Sequence, residues 1–80
     1  MSIRKAVAYR IRELCDENGI TLHALAMTSG VPPMTVYSMM NTKSKNPGIV
    51  TIKMLCDGLG ITLTEFFDSD LFRNLEQEIK

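Results

Sequence analysis

The residue types that do covalent chemistry are scarce in this chain. Its only histidine, His23, has no obvious acidic partner, and no Ser/His/Asp set or phosphate-cradling loop can be assembled around it. Cys15 and Cys56 are the only cysteines. Both fall among apolar neighbours at helical spacing, and two thiols with one histidine do not complete a tetrahedral zinc site. They read as reduced, small core hydrophobes. At 80 residues the chain is one domain with a small core and little room for a substrate cleft. An enzyme, a metal site and a cofactor are not expected.

The polar residues that remain are suited to binding. Net charge is zero, yet residues 1–53 carry Arg4, Lys5, Arg10, Arg12, Lys43, Lys45 and Lys53 against Glu13, Asp16 and Glu17. Residues 54–80 carry Arg73 and Lys80 against six acidic side chains, so the halves are +4 and −4. A basic half can face phosphate while an acidic half faces away, though solvated surfaces are also lopsided by chance. The apolar fraction of 45% is that of a globular chain. No apolar run approaches the roughly 18 residues that span a bilayer. Met1-Ser2-Ile3-Arg4-Lys5 is not followed by an apolar block with a cleavage site, so a cytoplasmic protein is expected.

The elements that position these residues are short helices. Val7, Ile11, Leu14 and Cys15 make a helical stripe over Ile3–Asn18, closed by Gly19. Thr21 caps a second helix with Leu22, Leu25 and Ala26 on its apolar side, stopping at Gly30. Pro33 opens a third, in which Val36, Met39 and Met40 face inward. A polar loop through Lys43, Lys45, Asn46 and Pro47 leads to a fourth, with Ile49, Ile52, Leu55, Cys56 and Leu59 at apolar spacing. Thr62-Leu63-Thr64-Glu65 is a capping box opening a fifth, which carries Phe66 and Phe67. Leu71, Leu75 and Ile79 share one face of a last helix predicted over 70–79. Met27, Met39, Met40 and Met54 read mostly as core filler, with Met34 off the apolar stripe. No stretch alternates like a strand, so the fold class is all-α: a compact bundle of five short helices plus a C-terminal helix.

Residues 21–42 contain two helices of about eight residues joined by a tight glycine turn, which is a helix-turn-helix. The chain here resembles the phage repressor and Cro type of helix-turn-helix domain, the XRE family. The resemblance rests on Thr21-Leu22, Leu25-Ala26, Gly30-Val31, Thr35-Val36, Asn41, Asn46-Pro47, Leu59-Gly60-Ile61 and Leu63-Thr64-Glu65-Phe66-Phe67, in order and at matching spacing. It departs from the family at Leu22, where a phosphate-bridging Gln is common. It departs again at Cys15 and Met40, which stand where many members bury an Arg–Glu pair, and these two are expected to touch. Thr42 replaces a usual Gly.

The resemblance implies a lambda-repressor-like DNA-binding domain at 1–68, with 69–80 as a helical extension. It places helix 33–41 in the major groove. Pro33, Met34, Tyr37 and Ser38 would then read bases, Met34 and Pro33 by apolar contact with thymine methyls. Leu22 (through its backbone N–H), His23, Thr35, Asn41, Lys43, Lys45 and Asn46 would hold phosphates. Leu71, Leu75 and Ile79 would pair two copies on a two-fold operator. His23 reads first as a solvated surface residue and second as a phosphate contact, and Tyr37 has packing on the fourth helix as its alternative. The expected function is a sequence-specific transcriptional regulator, a repressor type, binding double-stranded DNA as a homodimer. The alternative is a protein-interaction module on the same scaffold, such as an antitoxin gripping its partner.

Overall fold

The computed structural model describes residues 1–41 and 46–79. Five α-helices follow in order: α1 (Ile3–Asn18), α2 (Leu22–Ser29), α3 (Pro33–Met40), α4 (Ile49–Leu59) and α5 (Leu63–Phe67). A single 3₁₀ turn follows at Asp70–Phe72, and no strand occurs among the described residues.

Polar caps set three of the helix starts. The Ser2 side chain accepts from the Lys5 N–H, and Thr21 Oγ1 accepts from the Ala24 N–H at 3.0 Å. At α5 the capping box is complete. Thr62 Oγ1 accepts from the Glu65 N–H at 3.0 Å, and the Glu65 carboxylate accepts from the Thr62 N–H at 2.9 Å. Each cap satisfies donors that a helix start otherwise leaves open, a contribution of about 1 kcal/mol. Phe66, Ile11, Leu25, Leu55, Val7 and Val36 are the largest side chains closed off from solvent, so the core draws on all five helices.

Two glycines fix how the second helix meets its neighbours. Gly30 sits at φ +70°, in the left-handed region that favours glycine. The Val31 N–H then reaches back to the Ala26 carbonyl at 3.0 Å, closing α2 and turning the chain into Pro32-Pro33. Val31 is buried beneath the turn. Gly58 lies where α4 crosses α2: a Cβ there would overlap Ser29 Oγ and stand 3.2 Å from Ser29 Cα. The missing side chain lets the two backbones approach closely.

Arg10 ties the far end together. It is 9% exposed. Its Nε donates to the Phe66 carbonyl at 2.6 Å and its Nη2 to the Glu65 carbonyl at 2.8 Å, while Nη1 pairs with Glu13. The Glu65 carbonyl also accepts from the Asp68 N–H at 3.3 Å, and the guanidinium serves carbonyls at the end of a short helix, where a charged donor also suits the helix dipole.

The helix expected over 70–79 is not formed. Helical structure there is confined to the 3₁₀ turn, started by Ser69 Oγ accepting from the Leu71 N–H. An isolated ten-residue helix is marginal in water, and Glu76 and Glu78 would oppose the dipole at its C-terminal end. Tertiary contacts offer the chain something better. Phe72 packs edge-on against Phe67 with ring centroids 4.9 Å apart and joins the core margin. The Glu76 N–H donates to the Met1 carbonyl at 3.0 Å, and its carboxylate meets the Met1 amine at 3.2 Å. Leu71 and Leu75 are half-buried and Ile79 is 87% exposed, so the three do not share a helical face.

Candidate nucleic-acid interface

The inner face of α3 is fixed and its outer face is open. Val36 and Met39 are buried in the core, and Met40 packs against it from a half-buried position. On the other side Met34 is 77% exposed and Tyr37 45% exposed; Ser38 and Thr35 are also exposed, and Pro33 is half-buried. All four residues expected to read bases therefore lie on or beside the solvent face. Cys15 belongs to the buried core cluster and Met40 packs against that cluster from a half-buried position.

Two grooves flank α3. One, of about 430 Å³, runs between α3 and the start of α4 and is lined by Met34, Ser38 and Met39 with Pro47, Gly48 and Thr51. Asn46 also borders it. The other, of about 620 Å³, brings together Arg12, Cys15 and Asp16 of α1, Leu22 and His23 of α2, and Tyr37. Tyr37 thus lines the groove beside α1 and α2. Arg12 was not singled out in sequence. It makes no hydrogen bond or ion pair with a described residue, whereas Arg10, Lys53 and Arg73 are paired with carboxylates. No local signal marks it, because its position opposite Arg10 matters only once Arg10 is seen to face the core and three helices form the groove.

Of the expected phosphate ligands, Leu22 and His23 line the second groove and Thr35 and Asn46 the first. Leu22 is the first residue of α2; its side chain packs against the core, and its N–H and that of His23 have no acceptor among the described residues. His23, Asn41 and Asn46 are exposed. Asn41 also ends α3, its N–H donating to the Ser38 carbonyl at 3.2 Å. Lys43 and Lys45, like Thr42, lie outside the described residues.

Two expectations about apolar residues need correction. Met27 is 64% exposed, because the inner stripe of α2 is Leu22, Leu25, Ala26 and Ser29, and Met27 falls off it. Ile49 is 59% exposed beside Val50 at 69%; the buried stripe of α4 begins only at Ile52. The thiols of Cys15 and Cys56 are pushed above the ordinary range, chiefly by burial. They are held as neutral thiols, unsuited to nucleophilic or ligand roles. Among the described residues no three His, Cys, Asp or Glu side chains are grouped as a metal would need. Nor, among the described residues, is any helix long and apolar enough to cross a membrane.

Comparison with known proteins agrees with this geometry. The crystal structure of the prophage Lp1 protein 11 superposes with a TM-score of 0.83 at 30% identity, covering 94% of this chain and 100% of that one. The restriction-modification controller protein C.Esp1396I has the same fold, with a TM-score of 0.74 at 22% identity over 91% of each chain. A tyrosine-to-phenylalanine mutant of that protein gives 0.76 at 23% identity, covering 91% of this chain and 92% of the other. No curated protein matches the chain. Residues 10–70 match the Cro/C1-type HTH DNA-binding domain, and the chain belongs to that family.

Proposed function

We propose that this protein is a sequence-specific transcriptional regulator that inserts α3 into the DNA major groove and acts as a dimer on a two-fold operator. The observation that carries the reading is the division of α3. Val36 and Met39 lock it into the core while Met34, Tyr37 and Ser38 stand in solvent, so a defined face is presented at a fixed angle to a groove-shaped partner. Pro33, Met34, Tyr37 and Ser38 contact base edges. The amides of Leu22 and His23, with Thr35, Asn41, Lys43, Lys45 and Asn46, hold phosphates and set register without reading sequence. Arg12 adds a cation from α1 to the groove it shares with His23 and Tyr37.

A single module of this size covers few base pairs, so two copies one helical turn apart are needed for useful affinity. Leu71, Leu75 and Ile79 supply apolar surface for pairing, now as an irregular segment following residues 1–68 and not as a helix. The family is one of DNA-binding regulatory domains and not an enzyme class.

The test is selection of bound sequences from random duplex DNA at stated salt. The expected result is a symmetric motif with half-sites about 10 base pairs apart, centre to centre. No enrichment above background overturns the reading. A protein that fails this selection yet holds a protein partner stoichiometrically is the interaction module instead.

A further inference from the structure

The chemistry of the reading face is narrower than the range the major groove can be read by. The whole of α3 reads PMTVYSMM, with no charged or carboxamide side chain. Bidentate recognition of guanine by Arg or Lys, or of adenine by Asn or Gln, is therefore closed to this helix. What it offers is apolar surface. Met34, in the first turn, is 77% exposed, so a partner that covers it removes apolar surface from water. With the buried Met39 and with Pro47 and Gly48 it lines the groove of about 430 Å³. Ser38 lines the same groove with a hydroxyl.

Of the four bases in the major groove, only thymine presents an apolar group, its C5-methyl, beside the O4 acceptor. We propose that α3 recognises DNA chiefly through thymine C5-methyl groups packed on Met34 at the mouth of the α3–α4 groove, with Ser38 donating to the adjacent O4. This inference rests on the placement of α3 in the major groove given above. It names the base feature that placement selects.

The experiment uses the duplex obtained by selection and replaces each thymine in turn by deoxyuracil, which removes the methyl and leaves the pairing intact. Binding should weaken about fourfold at one or two positions of each half-site, the worth of one buried methyl-sized group, and stay unchanged elsewhere. With Met34→Ala, checked for native helicity, the difference between thymine and uracil at those positions should vanish while the salt dependence is unaltered. A cytosine placed there should bind weakly, and 5-methylcytosine should recover part of the loss. The proposal is overturned if every uracil substitution is neutral, if Met34→Ala keeps the discrimination, or if the methylated and plain cytosines bind alike. A selection that enriches no duplex overturns the DNA-binding reading and this one with it.

Discussion

Arg10 and Arg12 stand two residues apart on α1, point to opposite sides of it, and have opposite fates. Arg10 turns inward, is 9% exposed, and spends its guanidinium on the Glu65 and Phe66 carbonyls and on Glu13. Arg12 turns outward, bonds to no described residue, and lines the groove that α1 shares with α2 and α3. The ends of the bundle they face differ in the same way. Around α5 and the C-terminal segment the charges are consumed internally: Arg73 pairs with Asp70 at 2.7 Å and the Met1 amine with Glu76. Around α1 and α2, the Arg12 and His23 side chains are exposed and bond to no described residue. A chain of zero net charge can therefore present an attractive face to a polyanion, because what counts is which cations remain uncommitted.

Removing the inward arginine should have the largest effect. Arg10→Met removes the guanidinium from the Phe66 and Glu65 carbonyls in a partly dry site, leaving Glu65 only its Asp68 N–H, and α5 loses its hold on α1. The expected cost is about 3 kcal/mol in urea unfolding. A loss below about 0.5 kcal/mol would break the contrast, since Arg10 would then be no more structural than its neighbour. The next effect belongs to the helix crossing. Gly58→Ala gains about 1 kcal/mol of helix propensity but drives a methyl into Ser29, whose Cα lies 3.2 Å from the new Cβ. Overpacking of this kind costs about 1–3 kcal/mol, so a net fall in melting temperature is expected. A rise would mean that α2 and α4 can separate without loss.

What could be read from sequence follows the range of the interaction concerned. The capping box at Thr62 and Glu65, the left-handed turn at Gly30 and the inward set Val36 and Met39 depend on neighbours within a few residues, and all are where the pattern puts them. The open face of α3 was legible for the same reason: it is what remains when the apolar stripe is subtracted. Arg10 was not legible as a clamp, because its acceptors lie 55 and 56 residues away. The 70–79 segment misleads for the converse reason. Leu71, Leu75 and Ile79 have helical spacing, but insertion of Phe72 beside Phe66 and Phe67 and the tie from Glu76 to Met1 are tertiary, and they override a weak local preference. The two grooves, and with them Arg12, exist only once three helices are assembled.

The outward arginine supplies the prediction that separates fold from function most cleanly. Arg12 is solvent-exposed and outside the core, so Arg12→Gln should leave unfolding free energy within about 0.5 kcal/mol of the parent. If it holds a phosphate, the same change should weaken binding severalfold to specific and random duplexes alike, since backbone contacts carry no sequence information. The plot of log affinity against log salt should become shallower by about 0.9, the release associated with one neutralised phosphate. Asp16 shares the groove, so Asp16→Asn should shift affinity the other way at low salt by removing a repulsion. Arg12→Gln that lowers affinity for one sequence only, with an unchanged salt slope, would move Arg12 from the phosphate to the bases. A variant that leaves both untouched would show that the DNA backbone does not reach α1, and would confine the interface to α2, α3 and the start of α4.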